Sequence, residues 1–319
     1  MASKKPKLHI VSPRPEAIAG KRGVSKAIPP EPPRISGRWL LGAMALTLAA
    51  AALCGWGALC LLFWQGSWQL LYHPASAIAH TPAGAGMAFD SVGFAAADDG
   101  VPRLNGWWVP AVPGARFGRY TVLYLHGQRG NLGDTVETIA RLHSTGTNVL
   151  AFDYRGYGQS QFVRPSEANW RQDAEWALQY LTATRQIGEN AIVLGGSGLG
   201  ANLALELAAA HPELAGVILD SPIESPMDAV FSDGRARMVP ARMLVRDRYA
   251  LNEPAAALHI PTVWFEWTAT PGLGGGPAEP AAFTKIGARK MLVWLSASED
   301  GNRQYADALL RWLDDLPQH

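Results

Sequence analysis

The sequence predicts an α/β fold with a mostly parallel central sheet and helices on both faces, preceded by one transmembrane helix. Two patterns support this prediction. Short apolar runs alternate with longer helical segments from about residue 90 onward, which is typical of a parallel sheet covered by helices on both faces. Ahead of them lies an uncharged stretch of 26 residues, Trp39–Trp64.

The first segment, residues 1–38, is basic and rich in proline. It carries nine Lys and Arg side chains against Glu16 and Glu31, and it contains a Pro-Pro-Glu-Pro-Pro run at residues 29–33. A segment with so little apolar content cannot bury enough surface to fold, so we predict a disordered tail. The whole chain has a net charge of +1, which gives no indication of a nucleic acid partner.

Residues 39–64 are predicted to be a transmembrane signal anchor that binds the chain to a membrane. An uncharged stretch of this length can span a bilayer as a helix, and tryptophans at both ends are typical of interfacial anchors. A cleaved signal peptide is normally shorter, and a soluble core helix normally has a polar face. The positive-inside rule predicts a single-pass protein with a cytoplasmic N-terminus and residues 65–319 on the far, periplasmic or extracytoplasmic side. Both cysteines, Cys54 and Cys60, lie in the anchor, so disulfides indicate no compartment.

Strands and helices alternate along residues 65–319. The predicted strands are Asp90–Phe94, Leu104–Val109, Tyr120–Leu125, Asn148–Phe152, Ile192–Leu194, Val217–Leu219, Pro261–Phe265 and Lys290–Leu295. The predicted helices include about Leu132–Thr145, Ser166–Ala183 and Gln304–Leu316. The glycine-rich run Pro271–Pro280 predicts a flexible loop.

A glycine cluster at residues 196–200 joins one of these strands to an alanine- and leucine-rich helix. A strand–turn–helix of this kind raises a nucleophilic serine in the pattern G-x-S-x-G. The frame with small residues at both ends, Gly196 and Gly200, puts Gly198 at the nucleophile position. The other frame centres on Ser197 and puts Leu199 where the second small residue belongs, which would crowd the helix against the turn. We therefore prefer the first frame, a nucleophile elbow without its nucleophile.

Further motifs agree with this elbow in order and spacing. They are Tyr72-His73-Pro74, Gly106-Trp107-Trp108-Val109-Pro110, His126-Gly127, Asp153-Tyr154-Arg155-Gly156-Tyr157-Gly158, Pro165-Ser166-Glu167 and Leu219-Asp220-Ser221-Pro222. From Tyr72 to Leu316 the chain therefore resembles the α/β-hydrolase superfamily, in its membrane-anchored, serine-peptidase-like branch. The resemblance implies the α/β-hydrolase fold for residues 65–319. It also implies, for active members, a serine, an acid and a histidine in that order, with backbone N–H groups that stabilise the oxyanion.

Position by position, the resemblance implies a degenerate catalytic triad. The nucleophile position falls on Gly198, the acid position on Thr270 and the histidine position on Glu299. None of the eight histidines lies between His259 and His319, where the base is expected. The resemblance therefore implies no complete triad, and a serine without a base is a poor nucleophile.

The resemblance implies that the pocket of the family remains although the catalytic residues are lost. The backbone N–H groups of Gln128 and Leu199 are expected at the oxyanion positions, where they could hold a carboxylate or carbonyl group of a small-molecule or protein ligand. Glu299 would favour a cationic or hydroxylated ligand. The alternative is a relic cleft that binds nothing. No cofactor and no metal ion are predicted.

Three functions follow from these features. The favoured one is a membrane-anchored pseudoenzyme, a pseudo-hydrolase that acts in binding or scaffolding. The first alternative is an active serine hydrolase on ester or peptide bonds, with Ser197 as nucleophile and an unrecognised base. The second is a dinucleotide-binding protein, because the glycine cluster loosely matches G-x-G-x-x-G/A and Asp220 follows about 20 residues later. The hydrolase-like motifs around the cluster make this second alternative the least favoured.

Two features stay open at this point. The basic segment Arg235–Arg248 lies where the family carries a cap-like insertion over the pocket. It could instead rest on an anionic membrane surface, or form a solvated helix face. Trp264, Trp267 and Trp294 lie close to the triad-equivalent positions, where they would either fill the space of the lost histidine or form the floor of a ligand site.

Overall fold

A computed structural model describes residues 36–96, 99–268, 278–296 and 299–317. The chain divides into two compact units, residues 1–52 and residues 53–319. Residues 1–35 of the predicted tail and residues 271–277 of the predicted glycine-rich loop lie outside the described ranges.

The first described element is one long apolar helix, α1, Gly37–Gly66. Its aliphatic side chains in the first unit are exposed, with Leu46 at 72% and Leu48 at 64%. Towards its end α1 packs on the second unit through Phe63, whereas its first part is apolar on all faces and largely exposed, which is unusual for the core helix of a soluble domain. By length and composition α1 can cross a membrane, and the predicted span 39–64 lies within it.

The second unit is built around one eight-stranded sheet. In chain order the strands are β1 Asp90–Ala96, β2 Pro102–Val109, β3 Thr121–Leu125, β4 Asn148–Asp153, β5 Ile192–Ser197, β6 Gly216–Asp220, β7 Thr262–Thr268 and β8 Lys290–Ser296. Their order across the sheet is β8-β7-β6-β5-β3-β4-β2-β1. The β1–β2 and β2–β4 pairs are antiparallel and the remaining pairs are parallel. This mixed sheet is the α/β-hydrolase fold that the sequence predicts.

Helices connect the strands and cover both faces of the sheet. They are α2 Val136–Ser144, α3 Glu167–Gln179, α4 Leu199–Ala210, α5 Pro226–Phe231, α6 Ala241–Leu244, α7 Asn252–Ala257, α8 Ala281–Lys285 and α9 Glu299–Asp314. Two apolar cores result, one on each side of the strands. The first contains Trp170 and Trp264, and the second contains Phe265 and Trp312.

Several predicted elements end elsewhere than the sequence indicates. The helix predicted from Leu132 begins as a 3-10 turn, Leu132–Thr135, because Asn131 and Asp134 cap it reciprocally. The strand predicted to end at Phe265 continues to Thr268, because its parallel pairing with β8 runs on to Ser296. Such extensions depend on a partner strand, which a local pattern does not contain.

Glycine packing brings α4 close to the end of β3 at the elbow. A Cβ on Gly200 would fall inside the van der Waals radius of the backbone carbonyl oxygens of Leu125 and His126, and backbone cannot move aside cheaply. We therefore expect Gly200→Ala to destabilise the protein by roughly 1–3 kcal/mol or more, the usual cost of overpacking. Thermal unfolding of the full chain in detergent measures this. Gly287→Ala is the matched control, because a Cβ there meets nothing within 4 Å. Equal unfolding midpoints for the two variants would contradict the packing argument.

Candidate functional site

The elbow sits at the carboxyl end of β5, near the middle of the sheet. Gly198 has φ 55° and ψ −127° and caps α4, which begins at Leu199. A positive φ of this kind is strained for any residue that carries a side chain. The Gly198 N–H donates to the Asp220 carbonyl oxygen at 3.0 Å, which ties the turn to β6. The structure thus puts Gly198 at the apex of the turn, and the apex has no side chain.

Ser197 is the last residue of β5, one position before the apex. Its Oγ lies 3.0 Å from the Tyr124 hydroxyl, and either oxygen can donate. Tyr124 is buried on the neighbouring strand β3, and burial raises the pKa of its phenol to about 12. Since Tyr124 is neutral at ordinary pH, it is a poor base for the Ser197 proton. In the described part of the chain, no histidine bonds to the Ser197 hydroxyl.

Asp220 lies beside Ser197, because the two residues are in register on β6 and β5. Its Oδ1 accepts hydrogen bonds from Trp267 Nε1 at 2.9 Å and from the Ser221 hydroxyl at 3.2 Å. Burial raises the pKa of this carboxyl above its usual range. The carboxylate is therefore a buried acceptor with two neutral donors, and both hold it at the base of the elbow.

Gln128 fills the space beside the apex. Its side-chain oxygen Oε1 accepts a hydrogen bond from the Leu199 N–H at 3.3 Å, and a Cβ on Gly198 would lie 2.8 Å from the same oxygen. The backbone carbonyl of Gln128 accepts from the His73 N–H and from the Tyr157 hydroxyl, both at 2.9 Å. An amide oxygen of the protein's own thus takes the Leu199 N–H that would otherwise face a ligand carbonyl.

The other two triad-equivalent positions, Thr270 and Glu299, stay predictions. Thr270 lies outside the described residues, and Glu299 is the first residue of α9, with no description of its side chain. Trp267 packs beside the start of α9, where a Cβ on Gly301 would lie 3.1 Å from its ring. Trp264 is buried and donates to Glu266 Oε1 at 2.7 Å, whereas Trp294 on β8 is half-buried. Of these tryptophans, Trp267 is the one that contacts Asp220.

His126 and His259 differ in their surroundings, because the first is buried and the second is exposed. His126 is fully buried among aromatic rings, and its Nδ1 lies 2.7 Å from the Gly127 carbonyl oxygen. Burial lowers the pKa of His126 to about 4, so the ring is neutral at ordinary pH. His259 precedes β7, at the opposite end of that strand from Trp267. The described residues contain no group of three or more His, Cys, Asp or Glu side chains that could hold a metal ion.

Sequence reasoning missed two members of this cluster. Tyr124 reads as an ordinary buried strand position, and nothing in its spacing from Ser197 indicates that the two hydroxyls meet. The Arg141 guanidinium lies over the rings of Trp267 and Tyr305, at 5.7 and 5.0 Å from their centroids. Burial raises the pKa of the Asp220 carboxyl, and the positive charge of Arg141 partly opposes this rise. Both contacts join distant parts of the chain, so no local pattern could reveal them.

Comparison with known proteins finds α/β-hydrolases and uncharacterised proteins that are similar to this chain. Residues 118–258 match the family model described as serine aminopeptidase, S33. An uncharacterised protein of Mycobacterium tuberculosis is 31% identical over 210 residues, covering 64% of this chain and 69% of the relative. The human alpha/beta hydrolase domain-containing protein 17C is 34% identical over 134 residues, covering 42% of this chain and 39% of the relative.

Among solved structures, a Pyrococcus furiosus esterase superposes with a TM-score of 0.57. The match covers 77% of this chain and 97% of the esterase, at 16% sequence identity. At that identity the likeness concerns the fold.

Proposed function

We propose that this chain, which belongs to the α/β-hydrolase family, does not hydrolyse by the mechanism of that family. We propose further that it is anchored in a membrane and acts in binding or scaffolding. One observation carries the proposal. The apex of the elbow is a glycine, and the side chain of Gln128 lies beside it on the Leu199 N–H. The apex therefore has no nucleophilic side chain, and the space beside it is occupied by Gln128.

The missing nucleophile is not replaced by its neighbour. Nucleophilic attack by a serine requires a base that takes its proton, and an elbow presents that serine at the apex beside the oxyanion donors. Ser197 lies one residue earlier, in the strand, and its hydroxyl meets a neutral phenol. With a pKa of about 12, Tyr124 is ionised in only about one molecule in ten thousand at pH 8.

The same contacts support a binding role. Because the Leu199 N–H at the start of α4 already holds an amide oxygen, a ligand carbonyl or carboxylate could take the place of Gln128 Oε1 without new donors. A rotamer change of Gln128 would be enough to expose the Leu199 N–H, because the donor is already in place. A small molecule or a peptide segment of a protein partner would satisfy this chemistry.

The alternative function is a serine hydrolase of the esterase or peptidase type that uses Ser197. The close Ser197–Tyr124 pair and the neighbouring Asp220 favour it. A dinucleotide-binding role receives less support, because the Asp220 carboxylate that would hold a ribose is buried and bonded by Trp267 and Ser221.

Labelling with a fluorophosphonate serine probe, read by intact mass, tests the proposal on the purified full chain. We expect no adduct on the parent chain or on the Ser197→Ala variant, so that the mass of each is the same before and after treatment, because no activated serine is present. An active serine hydrolase treated in parallel controls for the probe. A stoichiometric adduct that disappears in Ser197→Ala would overturn the proposal in favour of the hydrolase.

The pH dependence of labelling gives a sharper result. Burial raises the pKa of Tyr124, so the phenolate that could activate Ser197 forms only as the pH approaches about 12. We therefore expect Ser197 to stay unlabelled from pH 6 to pH 10. Tyr124→Phe, which removes the hydroxyl and keeps the ring, should give the same flat profile. Labelling that rises with a midpoint near pH 7 would reveal a base that the described contacts do not contain.

The membrane part of the proposal rests on α1. We propose that this helix spans the bilayer with the basic tail in the cytoplasm and the hydrolase-like domain on the far side, as the positive-inside rule predicts. Protease protection of membrane vesicles of known orientation tests the topology. Digestion of the domain from the cytoplasmic face would contradict it.

A further inference from the structure

The insertion between β6 and β7 carries arginines that have no acidic partner. We call residues 235–248 the arginine segment; it contains five arginines and one acid, Asp247. Arg235 is paired with Asp233 at 2.7 Å. The other four arginines are exposed, and none of them forms an ion pair within the described part of the chain: Arg237, Arg242, Arg246 and Arg248.

The nearby carboxylates hold the backbone of the arginine segment instead. Asp247 accepts hydrogen bonds from the Tyr72 hydroxyl at 3.0 Å and from the Glu167 N–H at 3.1 Å. In return, Glu167 accepts from the backbone N–H groups of Arg248 at 2.6 Å and Tyr249 at 3.1 Å. This reciprocal clamp fixes the backbone of the segment on the domain. Arg248 donates to the Arg242 carbonyl oxygen, and the Arg242 guanidinium lies 5.1 Å from the centre of the Phe231 ring. Within the described part of the chain no carboxylate neutralises these two charges or those of Arg237 and Arg246, so all four can attract an external anion.

Large apolar side chains stand exposed between these arginines. Met238 is 61% exposed and Met243 is 82% exposed. Exposed apolar side chains among basic ones are typical of peptides that lie in a membrane interface. Arginines bind the headgroups of anionic lipids, and the apolar side chains enter the layer beneath them.

The arginine segment contacts the part of α1 that belongs to the second unit. Trp56 of this helix donates its indole N–H to the Met238 carbonyl oxygen at 3.0 Å. Residues 37–55, which precede this contact in α1, rise about 28 Å at about 1.5 Å per residue. The hydrocarbon core of a bilayer is about 30 Å thick, and tryptophan favours its boundary. The inference therefore puts the bilayer boundary at Trp56, inside the predicted anchor 39–64, and hence near Met238.

We propose that the arginine segment is a second membrane contact, with its methionines in the interface and its unpaired arginines on the headgroups of anionic lipids. The inference rests on the proposed anchoring by α1 and adds to it a preference for lipid charge. The segment belongs to the insertion between β6 and β7, which resembles a cap over the elbow. Anionic lipids that bind the segment would therefore contact this cap-like insertion directly.

Nitroxide labels on the full chain measure the depth of each site in a bilayer. Cys54 and Cys60 are first replaced by serine, and single cysteines are placed at Leu46 in α1 or at Met243 in the arginine segment. The protein is studied in nanodiscs of phosphatidylcholine alone or with about a third of phosphatidylglycerol. We expect the label at 46 in the hydrocarbon in both lipids. We expect the label at 243 within roughly 10 Å of the interface when anionic lipid is present, and more exposed to water without it.

Charge variants separate lipid binding from simple proximity. Arg237→Gln with Arg242→Gln should raise the water exposure of the Met243 label at least fivefold in anionic nanodiscs, since each arginine near such a surface contributes roughly that factor. The control, Arg289→Gln with Arg311→Gln, removes two exposed arginines elsewhere on the domain, of which Arg289 is paired with Asp315, and should leave the label where it was.

Each contrary outcome has a distinct meaning. A label at 243 in water in both lipids, with the label at 46 in hydrocarbon, overturns this inference and leaves the anchoring intact. Equal depth at 243 with and without anionic lipid overturns the lipid charge preference. Both labels in water would overturn the anchoring by α1, and this inference with it.

Discussion

A serine restored at the elbow apex is expected to stay unreactive by itself and to react once an acid and a histidine accompany it. In the double variant Gly198→Ser/Gln128→Ala, the first substitution puts a hydroxyl at the apex. The second removes Gln128 Oε1, which would lie 2.8 Å from the new Cβ. No described base reaches that position. Adding Thr270→Asp and Glu299→His supplies the two missing roles at the positions that the family's order assigns.

The expected gain is large, because a positioned base typically accelerates such a reaction by about 10²–10⁴-fold. The measurement is the second-order rate of fluorophosphonate labelling, followed by intact mass, for the double and the quadruple variant. Circular dichroism shows whether each variant is folded, since a side chain at φ 55° strains the turn. Rapid labelling of the double variant would mean that a base is already present at the elbow, contrary to the proposed loss of the triad.

Replacement of Trp170 by alanine should be among the most destabilising single changes outside the elbow. Trp170 is fully buried and stacks on Tyr154 with ring centroids 3.9 Å apart. Its edges meet Tyr72 at 5.3 Å and Tyr249 at 5.9 Å, which joins α3 to the chain that follows α1 and to the insertion between β6 and β7. Its indole N–H makes no hydrogen bond, so the loss is one of packing alone.

Truncation of a buried tryptophan costs roughly 3–5 kcal/mol, through lost burial and the cavity that remains. Chemical denaturation of the full chain in detergent measures it. Phe162→Ala serves as the control, because Phe162 is 93% exposed and its loss should change the free energy of unfolding by less than about 0.5 kcal/mol. Equal losses for the two variants would show that the aromatic cluster around Trp170 does not hold the domain together.

The fold was largely predictable from local patterns. The strand-forming runs around Val122, Val149 and Val217 are predominantly apolar, and the structure buries every residue from Thr121 to Leu125. Such runs suit a sheet that is covered on both faces, and the helices between them follow from their own periodicity. The elbow was also predictable from the sequence, because its glycines allow two backbone segments to approach more closely than any residue with a Cβ would permit.

The contents of the site were less predictable. The sequence placed Gln128 and Leu199 near the oxyanion position through their backbone N–H groups, but the structure brings the side chain of Gln128 onto the Leu199 N–H. That contact depends on a rotamer and on the approach of two loops 71 residues apart. The Tyr124–Ser197 pair and the Trp267–Asp220 hydrogen bond arise in the same way, from the register of neighbouring strands.

The sequence by itself determined that the chain has an apolar helix long enough to cross a membrane, an α/β sheet and an elbow whose apex is glycine. These properties reside in consecutive residues, in their hydrophobicity, periodicity and backbone freedom. The tertiary structure decided which groups meet at the elbow and which arginines stay unpaired. Gln128 lies on the Leu199 N–H, and Glu167 and Asp247 hold backbone rather than guanidinium groups. Hydrogen bonds act over about 3 Å, so their partners are chosen only when the folded chain brings distant residues together.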